Sequence, residues 1–105
     1  MSNVHDLMVN LGIKPGMAVI SNAGHDVGRV YLVVSVEGSF IWVSDGKIRS
    51  ISRQKQKRCK HVKKLGQAAS DSEMERLLAE KTPAQQDIII RKLISRFLEM
   101  NIKEV

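Results

Sequence analysis

Short apolar runs bounded by turn residues recur along the first half of the chain. In residues 29–36 every second side chain is apolar, a pattern typical of a half-buried β-strand. The side chains placed on one face by this alternation are Val30, Leu32, Val34 and Val36. Two shorter apolar runs carry a similar signal and are separated from this one by glycine-containing turns. The pattern therefore predicts strands over Met17–Ser21, 29–36 and Phe40–Ser44.

Turn signals after these runs predict further strands. The dipeptide Asp45-Gly46 is a strong signal for a two-residue hairpin, so we expect a short strand at residues 47–49. Residues 61–65 are expected to return as a closing strand with Val62 and Leu65 pointing inward.

Beyond residue 67 the apolar period becomes helical. Ser70 and Glu73 are spaced as a capping box, and Thr82 and Gln85 form a second one with Pro83 at the first helical position. The apolar residues that follow are spaced to form one stripe on each of two helices: Met74, Leu77, Leu78, Ile90, Leu93, Ile94 and Phe97. This region is therefore predicted to be a helical hairpin.

The predicted fold class is mainly β, a small antiparallel β-barrel followed by a C-terminal two-helix segment. The 105 residues fit one domain with three parts: a lead-in at 1–14, for which a short helix is one option, the strands at 15–66, and the helical hairpin at 67–105. A sheet of about 50 residues is marginal alone, because so small a unit buries only about 60% of its unfolded surface. We expect the helices either to cover the barrel or to pair with another chain, for example in a homodimer.

Positive charge is concentrated in one segment. Residues 46–66 hold nine lysines and arginines and no carboxylate, whereas residues 1–45 sum to −2 and residues 67–105 to −1. All nine cations lie in residues 47–64, here called the basic tract. Like charges at this density repel one another unless a polyanion screens them. A solvated charged loop is the alternative, but we expect the tract to be exposed and to bind nucleic acid.

The sequence contains no pattern that points to catalysis, a metal site or a membrane span. Cys59 is the only cysteine, and His5, His25 and His61 lack the spacing of a zinc site or of a nucleophile with its base. The longest apolar run, at residues 30–34, is far shorter than the roughly 20 residues that cross a bilayer, and the first ten residues do not read as a signal peptide. We expect a cytoplasmic protein that is not an enzyme and has no cofactor or metal.

Several local motifs follow one another across residues 15–66: the strand MAVIS, the loop AGHDVG, the turn DGK and a Lys/Arg-rich run that ends in KHV. In this order they resemble the KOW family, and within it the ribosomal-type proteins of the large subunit and their small bacterial relatives. The resemblance implies a strongly bent, SH3-like antiparallel barrel that binds RNA, with ribosomal RNA as the expected partner. Gly28 matches the glycine that characterises the motif, and Gly24 lies at the other bend of the loop.

The resemblance and the charge together imply an RNA-binding surface built from loop residues 24–28 and the basic tract. Its predicted members are Gly24, His25, Asp26, Gly28, Arg29, Lys47, Arg49, Arg53, Lys55, Lys57, Arg58, Lys60, His61, Lys63 and Lys64. For Asp26, which sits in a turn beside a histidine, an Asx-type hydrogen bond within the turn is also expected.

Structured RNA is favoured over duplex DNA because neither predicted helix is basic enough to read a major groove. The chain has only four aromatic residues, so we expect recognition of backbone and shape rather than stacking on bases. The alternative is a protein-interaction adaptor of the transcription or translation machinery that uses the barrel and the helices. A pull-down that survives nuclease treatment would favour the adaptor.

Overall fold

The apolar runs of the first half become neighbouring strands of one antiparallel sheet in the computed structural model, which describes residues 12–102. The strands are β1 (Met17–Ser21), β2 (Val30–Glu37), β3 (Phe40–Ser44), β4 (Lys55–Arg58) and β5 (Val62–Gln67). They lie in the spatial order β4–β3–β2–β1–β5. The first three strands confirm the predicted ones, with β2 shifted by one residue. The helix considered for residues 1–14 falls mostly outside the described residues.

Two helices follow the sheet, α1 (Asp71–Ala79) and α2 (Pro83–Ile102). They hold about as many residues as the five strands, so the architecture is mixed α/β rather than mainly β. The share of helical residues is larger than expected for a mainly β fold because α2 alone spans 20 residues.

The strand predicted at residues 47–49 is wrong. One carboxylate oxygen of Asp45 accepts hydrogen bonds of 2.9 Å from the backbone amides of both Lys47 and Arg49, so the chain curls back on Asp45. The residues that pair with β3 are instead those of β4, where Arg58 lies opposite Phe40.

A strand is present where residues 61–65 were expected to form one, but it spans Val62–Gln67, is an edge strand and corrects one of the predicted inward residues. Ala18 pairs with Gly66 and Val19 with Lys64, which leaves Leu65 as the extra residue of a β-bulge. Val62 is buried as expected, whereas Leu65 is 38% exposed because the bulge interrupts the alternation of the strand.

The sheet does not close on itself through backbone pairing in residues 12–102. Strands β4 and β5 are its two edges, and no strand pairing joins them. They are nevertheless consecutive along the chain and are linked only by a single-turn 3₁₀ helix, Cys59–His61.

Residues 31–34 of β2 are buried on both faces, where a half-buried strand was expected, whereas Ser35 and Glu37 near its end are exposed. Leu32, together with Ala18 of β1, belongs to a core that the two helices complete. Tyr31 and Val33 point the other way, into a second core formed within the sheet and its turns. The helices therefore cover one face of the sheet, which is the first of the two arrangements expected for them.

The helical hairpin begins and packs largely as predicted. The Ser70 hydroxyl accepts from the Glu73 amide at 3.1 Å, and a Glu73 carboxylate oxygen accepts from the Ser70 amide at 3.0 Å, so the capping box is complete. Six of the seven predicted stripe residues are buried in the shared core: Met74, Leu77, Ile90, Leu93, Ile94 and Phe97. The exception is Leu78, which is 55% exposed.

Candidate nucleic-acid interface

The loop between β1 and β2, residues 22–29, is closed by backbone hydrogen bonds at its base. The Gly28 amide donates to the Ser21 carbonyl and the Ser21 amide to the Arg29 carbonyl, both at 2.9 Å. Gly24 and Gly28 have φ values of +87° and +91°, which are strongly disfavoured for residues other than glycine. A Cβ atom at Gly28 would meet no atom within 4 Å, so that position needs glycine for its backbone angle and not for a close approach.

A buried network of polar side chains lies behind this loop. The Lys57 ammonium donates to the Ser21 hydroxyl at 2.8 Å, to the Asp26 carboxylate at 2.9 Å and to the Ala23 carbonyl at 3.1 Å. Asp26 also accepts from the hydroxyls of Ser21 at 2.8 Å and Tyr31 at 2.6 Å. The network therefore joins the end of β1, the loop, β2 and β4.

The surroundings of Asp26 favour its charged form. Burial alone would raise the pKa of the carboxyl, but hydrogen bonds from Tyr31, Lys57 and Ser21 and the positive charge of Lys57 hold this pKa well below its usual range. Burial, and then the hydrogen bond to Asp26, raise the pKa of Tyr31 to about 12. At neutral pH Asp26 is therefore a carboxylate and Tyr31 a neutral phenol.

This network corrects two expectations from the sequence. Lys57 was expected to be exposed with the rest of the basic tract, but it is only 7% exposed and faces inward. Asp26 was expected to make a local Asx-type bond, but its carboxylate bonds to side chains of β1, β2 and β4. The physical reason is that a buried ammonium ion needs a buried counter-charge, and Asp26 supplies it from a distant part of the chain.

The other predicted site residues are at least partly accessible. Nine are exposed: Gly24, His25, Gly28, Lys47, Arg53, Arg58, Lys60, Lys63 and Lys64. Four are half-buried: Arg29, Arg49, Lys55 and His61.

One part of the basic tract adjoins the loop. The Lys55 ammonium lies 3.7 Å from the second carboxylate oxygen of Asp26. The His61 carbonyl accepts from the Asn22 amide at 3.0 Å, and Lys63 pairs with β1 just before the loop begins. Lys55 therefore lies close to the loop, and Lys60 and Lys63 belong to backbone segments that adjoin its base.

The other part of the tract lies against α2. The Ile51 amide donates to the Asp87 carboxylate at 2.8 Å, and the Arg91 guanidinium donates to the Gly46 carbonyl. Lys47 lines a groove together with Arg91 and Lys92 of the helix. Sequence reasoning missed this proximity, because residues some 45 positions apart carry no local signal of contact.

Arg58 has a different environment from the other exposed cations. Its guanidinium carbon lies 5.0 Å from the centre of the Phe40 ring, within the range of a cation–π contact. The contact orients Arg58 on the open edge of β4 without removing its charge from solvent.

In residues 12–102, no three histidine, cysteine, aspartate or glutamate side chains are grouped as a metal site would require. No helix in the same residues has the length and apolar character of a bilayer span. Comparison with models of protein families gives no match, and comparison with curated proteins gives none either.

Proposed function

We propose that this chain is an RNA-binding protein of the KOW type that recognises structured RNA, with ribosomal RNA in the cytoplasm as the expected target. The observation that carries the proposal is the position of the exposed cations Lys60 and Lys63 beside a glycine-bounded loop whose base is fixed by hydrogen bonds. Exposed backbone amides and nearby cations are the groups that contact phosphate oxygens in nucleic-acid complexes. The proposal assigns the chain no catalytic role.

The curvature of the sheet supports a barrel form of the fold. Lys57 lies on the edge strand β4 and its ammonium reaches Ser21, at the end of β1, so the sheet curves strongly. The short link between the two edges supports the same curvature, since Cys59–His61 is the whole connection. We therefore propose that the sheet is an SH3-like barrel whose edges approach each other without pairing.

The rival proposal, a protein adaptor that uses the helical stripe, has less support. Six of the seven stripe residues are packed in the core with Ala18 and Leu32 and are not free to receive a partner. A contribution of the helices to a homodimer would need another surface.

Salt-dependent binding to a structured RNA tests the proposed function. If about five cations meet phosphates, log K against log salt should have a slope of roughly −3.5 to −4.5. Replacing both Lys60 and Lys63 with glutamine should make the slope shallower by about 1.4 to 1.8, since each lost phosphate contact removes about 0.7 to 0.9.

A matched control replaces two exposed cations on the helical side, Arg76 and Lys81, with glutamine. This protein has the same net charge as the Lys60/Lys63 variant, and its slope should stay at the wild-type value. A wild-type slope near zero, or equal losses in the two double variants, would contradict the proposed interface.

A further inference from the structure

Lys57 has no hydrogen-bonding capacity left for a phosphate. An ammonium group has three N–H donors, and those of Lys57 meet the Ser21 hydroxyl, the Ala23 carbonyl and the Asp26 carboxylate. The side chain is only 6% exposed. It therefore belongs to the basic tract by sequence but lies on the inner side of the surface that the tract forms.

The partners of Lys57 all fix the β1–β2 loop. Ser21 ends the strand that enters the loop, Ala23 and Asp26 belong to the loop itself, and Tyr31 anchors Asp26 from the strand that leaves it. Glycine residues bound the loop on both sides and add no side-chain contacts of their own. The network is thus the main side-chain restraint on the conformation of residues 22–28.

We propose that Lys57 and Asp26 are positioning residues of the RNA site: they hold the β1–β2 loop in its binding conformation and make no contact with RNA. This inference rests on the proposed function. It divides the basic tract into cations that meet phosphates, such as Lys63, and one cation that acts only through the loop.

The direction in which Asp26→Asn changes RNA affinity tests the proposal. A negative charge within a surface that binds a polyanion opposes binding, so simple electrostatics predicts that Asp26→Asn raises RNA affinity. Positioning predicts the opposite, because the neutral amide holds Lys57 less well and releases the loop. The two accounts therefore differ in direction and not only in size.

The experiment measures RNA affinity over a series of salt concentrations for Asp26→Asn, Lys57→Met and Lys63→Gln, well below the melting temperature of each protein. Asp26→Asn and Lys57→Met should each weaken binding at least about tenfold while leaving the slope of log K against log salt at its wild-type value. Lys63→Gln should weaken binding and make the slope shallower by about 0.7 to 0.9, as expected for one lost phosphate contact.

A milder variant covers the case in which loss of a buried charge prevents folding. Tyr31→Phe removes only the hydroxyl that donates to Asp26 and leaves every charge in place. It should still weaken binding, by a smaller factor, with an unchanged slope. A purely structural role would lower the melting temperature of these variants without lowering affinity in the folded protein, and that result would overturn the proposal.

Hydrogen exchange separates failure of this inference from failure of the proposed function. The Gly28 amide, which donates to Ser21 at the base of the loop, should exchange at least about tenfold faster in Tyr31→Phe and Asp26→Asn, while amides of β3 keep their protection. If wild type binds no RNA, the proposed function falls but this measurement still decides whether the network holds the loop. Higher affinity of Asp26→Asn, a shallower slope for Lys57→Met, or unchanged Gly28 exchange would each overturn the positioning role.

Discussion

The backbone amide of Ile51 donates a 2.8 Å hydrogen bond to the carboxylate of Asp87, 36 positions later in the chain. A second bond, from Arg91 to the Gly46 carbonyl, joins the same helix to the same segment. These two bonds hold the segment between β3 and β4 against α2. The C-terminal helix thereby fixes a segment for which the sequence predicted only a turn and a short strand.

Removing the Asp87 acceptor should measurably destabilise the protein. We expect Asp87→Ala to lower the free energy of unfolding by about 1 to 3 kcal/mol, because the partly buried Ile51 amide then has no acceptor from the helix. Asp87→Asn, which keeps a side-chain oxygen, should lose less than half as much. Urea unfolding measures both, and equal losses would show that the charge of Asp87 matters rather than its hydrogen bond.

Two glycines should respond differently to the same substitution. Gly28 and Gly46 both have positive φ, but a Cβ at Gly46 would lie 2.5 Å from the Asp87 carbonyl oxygen whereas a Cβ at Gly28 would meet nothing within 4 Å. Gly28→Ala should therefore cost only backbone strain, on the order of 1 kcal/mol, and Gly46→Ala should cost clearly more because the loop must move off α2. Thermal melts rank the stability losses of the two variants, and a larger loss for Gly28→Ala than for Gly46→Ala would contradict this expectation.

The core between the helices and the sheet predicts a contrast within one helix. Ile90 is fully buried in the core that contains Leu32, whereas Ile88, two residues earlier, is 41% exposed. Ile90→Ala should destabilise the protein by about 2 to 5 kcal/mol through lost burial and the cavity left behind. Ile88→Ala serves as the control and should change stability by less than about 1 kcal/mol.

Truncation after Gly66 extends the same prediction to the whole hairpin. Loss of both helices would expose Ala18 and Leu32, so the remaining sheet should show lower solubility and a lower melting temperature than the full chain. If the truncated protein matched the full chain in both measurements, the helical cover would contribute nothing to the fold.

The pair between Glu73 and Arg96 predicts how acid affects stability. Hydrogen bonds from Arg96, and then from the Ser70 amide, lower the pKa of Glu73 from its usual 4.5 to about 2. Between these values the unfolded chain binds more protons than the folded one, so this contribution is complete above pH 4.5 and is lost as pH falls to about 2.

Replacing Glu73 with glutamine should therefore flatten the dependence of the melting temperature on pH between about 4.5 and 2. Glu75→Gln on the exposed side of the same helix is the control and should follow the wild-type curve. Parallel curves for wild type and Glu73→Gln would show that the pair contributes nothing to folding.

Elements whose signals are local were predictable from the sequence. Strands β1 to β3 follow from apolar runs bounded by turns, and the start of α1 follows from the Ser70 and Glu73 pair, because each signal needs only neighbouring residues. Strand β4 has the sequence KQKR and shows no apolar alternation. It becomes a strand through pairing with β3, which no local pattern encodes.

The sequence indicates which segments form the candidate site, but it does not indicate the direction in which each side chain points. Charge density alone indicated the basic tract, and glycine spacing indicated the loop. The inward position of Lys57 depends on Asp26, which is 31 positions away, and on Tyr31, whose hydroxyl completes the environment of that carboxylate. Since a lysine in a run of cations has the same sequence signature whether it faces in or out, only the assembled strands distinguish them.

The open edge of the sheet at β4 has a consequence for self-association. An unpaired strand edge is a template on which a second copy of the same strand can add, and such edges commonly lead to aggregation. Here that edge carries the positive charges of Lys55 and Arg58, so a second copy would bring like charges into register. The cations of the proposed RNA surface would therefore disfavour pairing of two copies along this edge, and replacing Lys55 and Arg58 with neutral residues should increase self-association as well as weaken the proposed binding to RNA.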